Sequence, residues 1–178
     1  DTEPSGQERR ITYCLYDCWN NITATNGLPA LRSMKRTDLD PFKKNLVLID
    51  LRDGHEQAIF QVIGPNLSHD IDEDLTNKSV SQVPRGSILS RVTDHYLETL
   101  ANRVPIAFEA EFINSDDEEA LYRGILLPFS DDGENINFIL AGVRWILAKD
   151  IDQDTKQPSI EELMKSISSG RDEQKEIE

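Results

Sequence analysis

EALYRGILLPFSDDGENINFILAGVRWIL, residues Glu119–Leu147, is the stretch whose reading decides the fold. Two apolar runs, Ala120–Phe129 and Ile136–Leu147, flank the polar turn Ser130-Asp131-Asp132-Gly133-Glu134-Asn135. Asp, Asn and Gly tolerate positive φ or bond back to their own backbone, so the stretch reads as a β-hairpin. In the second run neither alternate set is polar. Ile139, Ala141, Val143 and Trp145 share one face, while Ile136, Phe138 and Leu140 share the other, continued by Gly142 and Arg144. Side chains alternate across a sheet, so a strand apolar on both faces must be covered on both. Ile136–Leu147 is therefore expected in the middle of a sheet with further elements above and below it.

Working outward, 178 residues suffice for one sizeable domain, burying roughly 70% of the unfolded surface. No apolar run approaches the ~20 residues of a membrane helix, and no signal-peptide pattern opens the chain. The chain begins at Asp1, so what precedes it stays open. A formal net charge of −14 argues against nucleic acid, whose phosphates need a basic surface. The only cysteines, Cys14 and Cys18, stand at helical i,i+4 spacing, where Cβ atoms lie ~5–6 Å apart against the ~3.8 Å of a disulfide. Two reduced thiols imply a reducing compartment, hence the cytoplasm.

Asp1–Glu8 reads as a frayed arm. From Arg9 to Ile22 the residues Ile11, Leu15, Cys18 and Ile22 recur at helical spacing, widened by Cys14 and Trp19, so an amphipathic helix is expected. Its stripe needs cover, either from its own sheet or from a second copy. Ile11, Leu15, Cys18, Trp19 and Ile22 are thus candidates for a partner or homodimer interface. Asn45–Leu51 and Ala58–Ile63 read as a hairpin turned at Asp53-Gly54. Asn66–Pro84 suits short helical turns. Ser87–Val104 reads as one long helix, with Ser87 as N-cap and Pro105 forbidding continuation. Ile106–Ile113 alternates strictly, with Glu109 and Glu111 on the solvent side, where they discourage edge-to-edge pairing. A last helix is expected from Ser159, with Glu162 completing a capping box and Gly170 marking the stop. Arg171–Glu178 is a charged tail expected to be disordered. The expected division is an arm at 1–8, a domain at 9–150, and a helix with tail at 151–178.

The succession helix, hairpin, short helices, long helix, three strands resembles a PAS domain. The resemblance implies an α+β fold whose five-stranded antiparallel sheet has the order 2-1-5-4-3, helices on one face, and additional N- and C-terminal helices. Trp19, Pro29, Asp40-Pro41, Gly64 and Leu127-Pro128-Phe129-Ser130-Asp131-Asp132-Gly133 follow the pattern of a bacterial, mainly alphaproteobacterial, PAS-like family over about Cys14–Leu147. That family is read as sensory or regulatory, binding a small molecule or a protein partner. A stand-alone PAS sensor without its own catalytic output is what the resemblance implies.

Candidate chemistry is sparse. Glu109 and Glu111 lack an apolar surround to separate their pKa values, as acid/base work requires. His55 lies in a turn and His69 in a loop. His95 lies on the helix that supplies the iron ligand in haem-binding PAS domains, but only at the edge of its apolar stripe, and haem is set aside. The flavin-binding subgroup uses a cysteine in an Asn-Cys-Arg-Phe-Leu motif. Asn66–Pro84 contains no cysteine, so flavin is set aside too, and the cofactor is left unknown. No metal or catalytic motif appears, so no enzyme is expected. Arg144 shares a strand face with Phe138 and Leu140, and could greet an anionic ligand or pair with an acid such as Asp50. Arg123 and Arg103 are weaker cases of the same kind.

A cavity between Ser87–Val104 and the sheet, lined by Phe60, Tyr96, Phe108, Phe138 and Arg144, is the expected ligand site. The function expected is a cytoplasmic, non-catalytic signalling module that binds a ligand, a partner or both. The alternative is a constitutive interaction scaffold that uses its terminal helices and takes no ligand.

Overall fold

The computed structural model describes residues 7–23, 27–68, 71–113 and 116–153, with side chains between Ile11 and Asp150. Residues 1–6 of the expected arm, His69, the helix expected from Ser159 and the tail after it lie outside the described residues, while Gln7 and Glu8, expected in the arm, are already helical. Five strands form one antiparallel sheet: β1 (Leu46–Asp50), β2 (Ile59–Ile63), β3 (Ile106–Ile113), β4 (Glu119–Phe129) and β5 (Phe138–Leu147). Their order is β2-β1-β5-β4-β3, the order of the PAS arrangement. The central strand is β5, as two-sided burial demands.

That burial has a limit. Phe138–Val143 is buried at every position, but Arg144–Leu147 is only half-buried. β4 pairs with β5 as far as Leu147, whereas β1 reaches only the Leu46–Gly142 pair. The end of β5 therefore has a neighbour on one side alone. Ile136 and Asn137, expected in the strand, close the turn instead. Asn137 N–H donates to Phe129 O at 2.9 Å, and Asp131 N–H donates to Asn137 Oδ1 at 2.6 Å.

Each face has its own core. The inner face, with Val47, Ile49, Phe60, Leu126, Ile139 and Val143, packs under short helical turns and two helices. Those helices are α3 (Ile88–Thr93) and α4 (Tyr96–Asn102), where one long helix was expected. The break falls at Asp94-His95, after a run of weak helix formers. Ser90 and Thr93 hydroxyls bond back to the carbonyls of Ser87 and Ser90, at 2.6 and 2.9 Å, competing with the helical ladder. Ser87 does cap α3, accepting from Ser90 N–H at 3.1 Å. Arg103, at φ 58°, ends α4 ahead of Pro105.

The outer face, with Ile125, Leu127, Phe129, Phe138 and Leu140, is covered by α1 (Gln7–Ile22) through Ile11, Leu15 and Trp19. So α1 packs on its own sheet. The short helix α2 (Arg36–Leu39) and a 3-10 helix (Asp40–Asn45) lead from it into β1. After β5 the chain enters a further short helix, α5 (Ala148–Gln153), which the sequence reading missed.

Candidate functional site

The five residues expected to line one cavity do not meet. Phe60 on β2 and Phe108 on β3 stand on opposite edges of the sheet, four strand spacings or about 19 Å apart. Both are buried in the inner core, with Tyr96 half-buried against it. Phe138 belongs to the outer core, behind the sheet from those three. Arg144 shares that outer side, but the rise of six strand residues puts it about 20 Å from Phe138. The partner suggested for Arg144 is also elsewhere. Asp50 pairs with Arg52 at 2.7 Å beside Phe138, and the Arg52 guanidinium lies 5.2 Å over that ring. The hydrogen bond from Arg52 holds the Asp50 carboxyl below the ordinary carboxylate range, against the opposing effect of burial.

What does form is an open cleft of about 400 Å3, lined by Asn45, Asn66, Arg144 and Trp145, where β5 outruns β1. Local chain geometry builds it. The 3-10 helix ends at Asn45, whose side chain is buried and whose Nδ2 donates to Val143 O at 2.9 Å. That amide takes the place of the N–H that a longer β1 would have offered. Asn66 Nδ2 donates in turn to Asn45 Oδ1 at 3.0 Å. Gly64 allows this meeting, because any Cβ there would run into the Lys44 carbonyl. Arg144 lies directly across from Arg123, and Arg123 Nε reaches Glu109 Oε2 at 2.9 Å. Two guanidiniums on facing positions repel, and Glu109 relieves the far one. The row Glu109–Arg123–Arg144 thus runs across the sheet from the β3 edge to the cleft. Guanidinium and amide donors can fix an oxyanion or a carbonyl edge. Among the described residues the lining contains no nucleophile and no general base.

Of these four residues, only Arg144 was singled out in the sequence. Asn45, Asn66 and Trp145 carry no motif. The one signal for them is that the Asn45–Leu51 run is shorter than Ile136–Leu147.

The residues that carry the family resemblance converge on structural contacts. Trp19 Nε1–H donates to Pro128 O at 2.7 Å, and Ser130 N–H donates to Pro29 O at 2.9 Å. Pro128 is tolerated because β3 stops opposite Leu126, so no neighbouring strand asks for the missing N–H. Asp132 accepts from the backbone N–H of Asn135 and of Glu134, which hold its carboxyl far below the ordinary range.

Among the interface candidates, Ile11, Leu15 and Trp19 are buried against the chain's own sheet, while Cys18 and Ile22 are half-buried. Burial, and next the neighbouring Asp38, push the Cys18 thiol up. The exposed side of α1 carries Tyr13 and Tyr16 instead. His95 stacks on Phe108 with ring centroids 4.6 Å apart, and its Nδ1 stands 3.8 Å from Glu98. Among the described residues no three His, Cys, Asp or Glu side chains are arranged to hold a metal ion, and no helix is long and apolar enough to cross a membrane.

No protein-family model matches the sequence, and no curated protein does. Solved structures do. A light-oxygen-voltage domain studied with a flavin analogue superposes with TM-score 0.44 at 10% identity, over 67% of this chain and 90% of that one. The Rhodobacter sphaeroides LOV protein gives 0.41 at 10%, over 64% and 69%. A PAS domain from Colwellia psychrerythraea gives 0.42 at 14%, over 62% and 95%. These neighbours overturn one expectation. Flavin was set aside for want of a cysteine in Asn66–Pro84, yet light-oxygen-voltage domains, one of them probed with a flavin analogue, are what this chain superposes on. The physical reason is that a thiol bears on covalent chemistry, whereas seating a ring without a bond needs only shape and apolar wall.

Proposed function

We propose that residues 9–150 form a non-catalytic, PAS-type sensory or regulatory domain that acts by binding, with its small-molecule site in the cleft at the end of β5. The observation carrying this reading is the convergence of Arg144, Asn45 and Asn66 on one open cleft beside the central strand. The class of ligand it suits is a small anion, carboxylate or phosphate, with a hydrogen-bonding edge. Asn45 links the cleft to Val143 in the strand and to the chain entering β1. Occupancy would favour one packing of these elements over another and so change affinity for a partner, a shift of populations. The order of Trp19, Pro29, Gly64 and the Pro128–Gly133 turn supports a place among bacterial PAS-like signalling proteins of the cytoplasm.

The test is a thermal-shift screen of carboxylate and phosphate metabolites, with flavin mononucleotide included, against the parent and Arg144→Ala. At least one anion is expected to raise the melting temperature of the parent and to lose that effect in the variant. Silence of the parent towards every compound would end the cleft reading.

The scaffold alternative retains one supporting observation. Tyr13 and Tyr16 are 68% and 42% exposed on the side of α1 away from the sheet. A partner or second copy captured by the parent but lost with Tyr13→Ala/Tyr16→Ala, whatever the state of Arg144, would favour it.

A further inference from the structure

The two edges of the sheet are treated differently. The outer edge of β2 is closed by the chain itself. Phe60 N–H donates to Lys78 O at 3.0 Å, Asn77 N–H to Phe60 O at 2.6 Å, and Val80 N–H to Ala58 O at 2.9 Å. At the opposite edge no strand lies beyond β3 among the described residues. Yet β3 is eight residues long and holds unbroken register with β4 throughout. It has no proline, no lysine and no bulge, so the devices that would blunt it against any strand are missing, and its charges, Glu109 and Glu111, discourage only acidic or apolar ones. Its outward N–H and C=O groups are a template for another extended chain.

Side chains decide which chain fits. On the outer face of β3 the alternate residues Ala107, Glu109, Glu111 and Ile113 are all exposed. Glu109 keeps 39% of its side chain in solvent despite Arg123, and among the described residues no cation pairs with Glu111. On the inner face Ile106 and Ala110 are half-buried, so the apolar core runs out at this edge incompletely covered.

We propose that the β3 edge docks an extended segment of a partner protein in which basic residues alternate with apolar ones. The period of two sets the basic side chains opposite Glu109 and Glu111, within the ~4.5–5.5 Å of directly paired positions, and the apolar ones beside Ile106 and Ala110. Main-chain hydrogen bonds supply affinity and the alternate side chains supply selection, as in strand addition generally. A second copy of this chain fits worse. Antiparallel self-pairing about the middle of β3 sets Glu109 against Glu111 twice, and two chains of net charge −14 repel. The edge lies two strands from β5, so this site and the cleft fail or succeed separately.

The probe is a synthetic ten-residue peptide of alternating lysine and valine, titrated into the 15N-labelled full chain. Amide shifts are expected to concentrate at residues 106–113. A peptide of equal charge with its two central valines replaced by proline should bind at least ten times more weakly, and a glutamate–valine peptide not at all. Glu111→Lys should weaken the lysine peptide by on the order of tenfold, and Glu111→Gln by less. Equal binding of the proline-interrupted peptide, shifts centred outside β3, or affinity indifferent to both Glu111 variants would each overturn the proposal. So would the absence of any shift at millimolar peptide.

Discussion

Asp132 sits exposed at the tip of the β4–β5 hairpin and takes backbone N–H bonds from Asn135 at 2.7 Å and Glu134 at 2.8 Å, with the Ser130 hydroxyl donating at 3.0 Å. These bonds favour the charged form, which is why its carboxyl titrates far below the ordinary range. A depressed folded-state value stabilises the native state above the unfolded value of about 3.9, and that contribution is lost as pH falls through the folded value. Asp132→Asn is therefore expected to melt below the parent near neutral pH. The gap should narrow once pH drops below about 4. Melting curves from neutral to acidic pH check this, and a gap that widens in acid would refute the assignment. The turn itself was legible, because Asp-Asp-Gly between two apolar runs admits little else. Asn45 was not legible. Its role depends on where β1 stops relative to β5, a fact about register that no local pattern encodes.

Gly142 shows the same dependence at the level of elements. A Cβ there would meet Leu15 Cδ1 and stand 3.2–3.3 Å from Ile11, so α1 rides directly on the backbone of β5. Gly142→Ala is expected to cost about 1–3 kcal/mol by overpacking. Amide exchange should quicken in α1 while β4 and β5 stay protected, and denaturant titration with exchange measurements checks both. A variant as stable as the parent, with α1 equally protected, would show that the helix does not need this close approach. The stripe Ile11, Leu15 and Trp19 was plain in the sequence, but what it covers was not, since a sheet and a second copy make the same apolar demand on a helix. The break between α3 and α4 escaped for a related reason. Val92, Tyr96, Thr99 and Leu100 keep helical spacing straight through Asp94-His95, so periodicity alone cannot see the joint.

For the molecule as a whole, α1 is the outer wall. Deleting residues 1–23 uncovers Ile125, Leu127, Phe129, Phe138 and Leu140 together, a patch of the kind that drives association. The truncated chain is expected to bind an apolar dye and to elute as oligomers where the parent does not. A monomeric, dye-silent product would mean that the face is covered some other way. The central place of Ile136–Leu147 could be read from alternation, because covering both faces is a global demand written locally, whereas the strand order was implied only by the resemblance to the PAS layout. The grouping of Phe60, Tyr96, Phe108, Phe138 and Arg144 could not, because which faces and edges coincide depends on pairing between distant strands. That same remoteness governs how the protein is made. Leu46 must wait for Gly142 to be synthesised, roughly 5–20 s later at ordinary translation rates, before the two halves of the sheet can join. Meanwhile the first hairpin stands alone, and an isolated two-stranded unit is marginal in water. Assembly is therefore late and concerted, ordered by the ribosome's arrival at the keystone rather than by the stability of the parts that precede it.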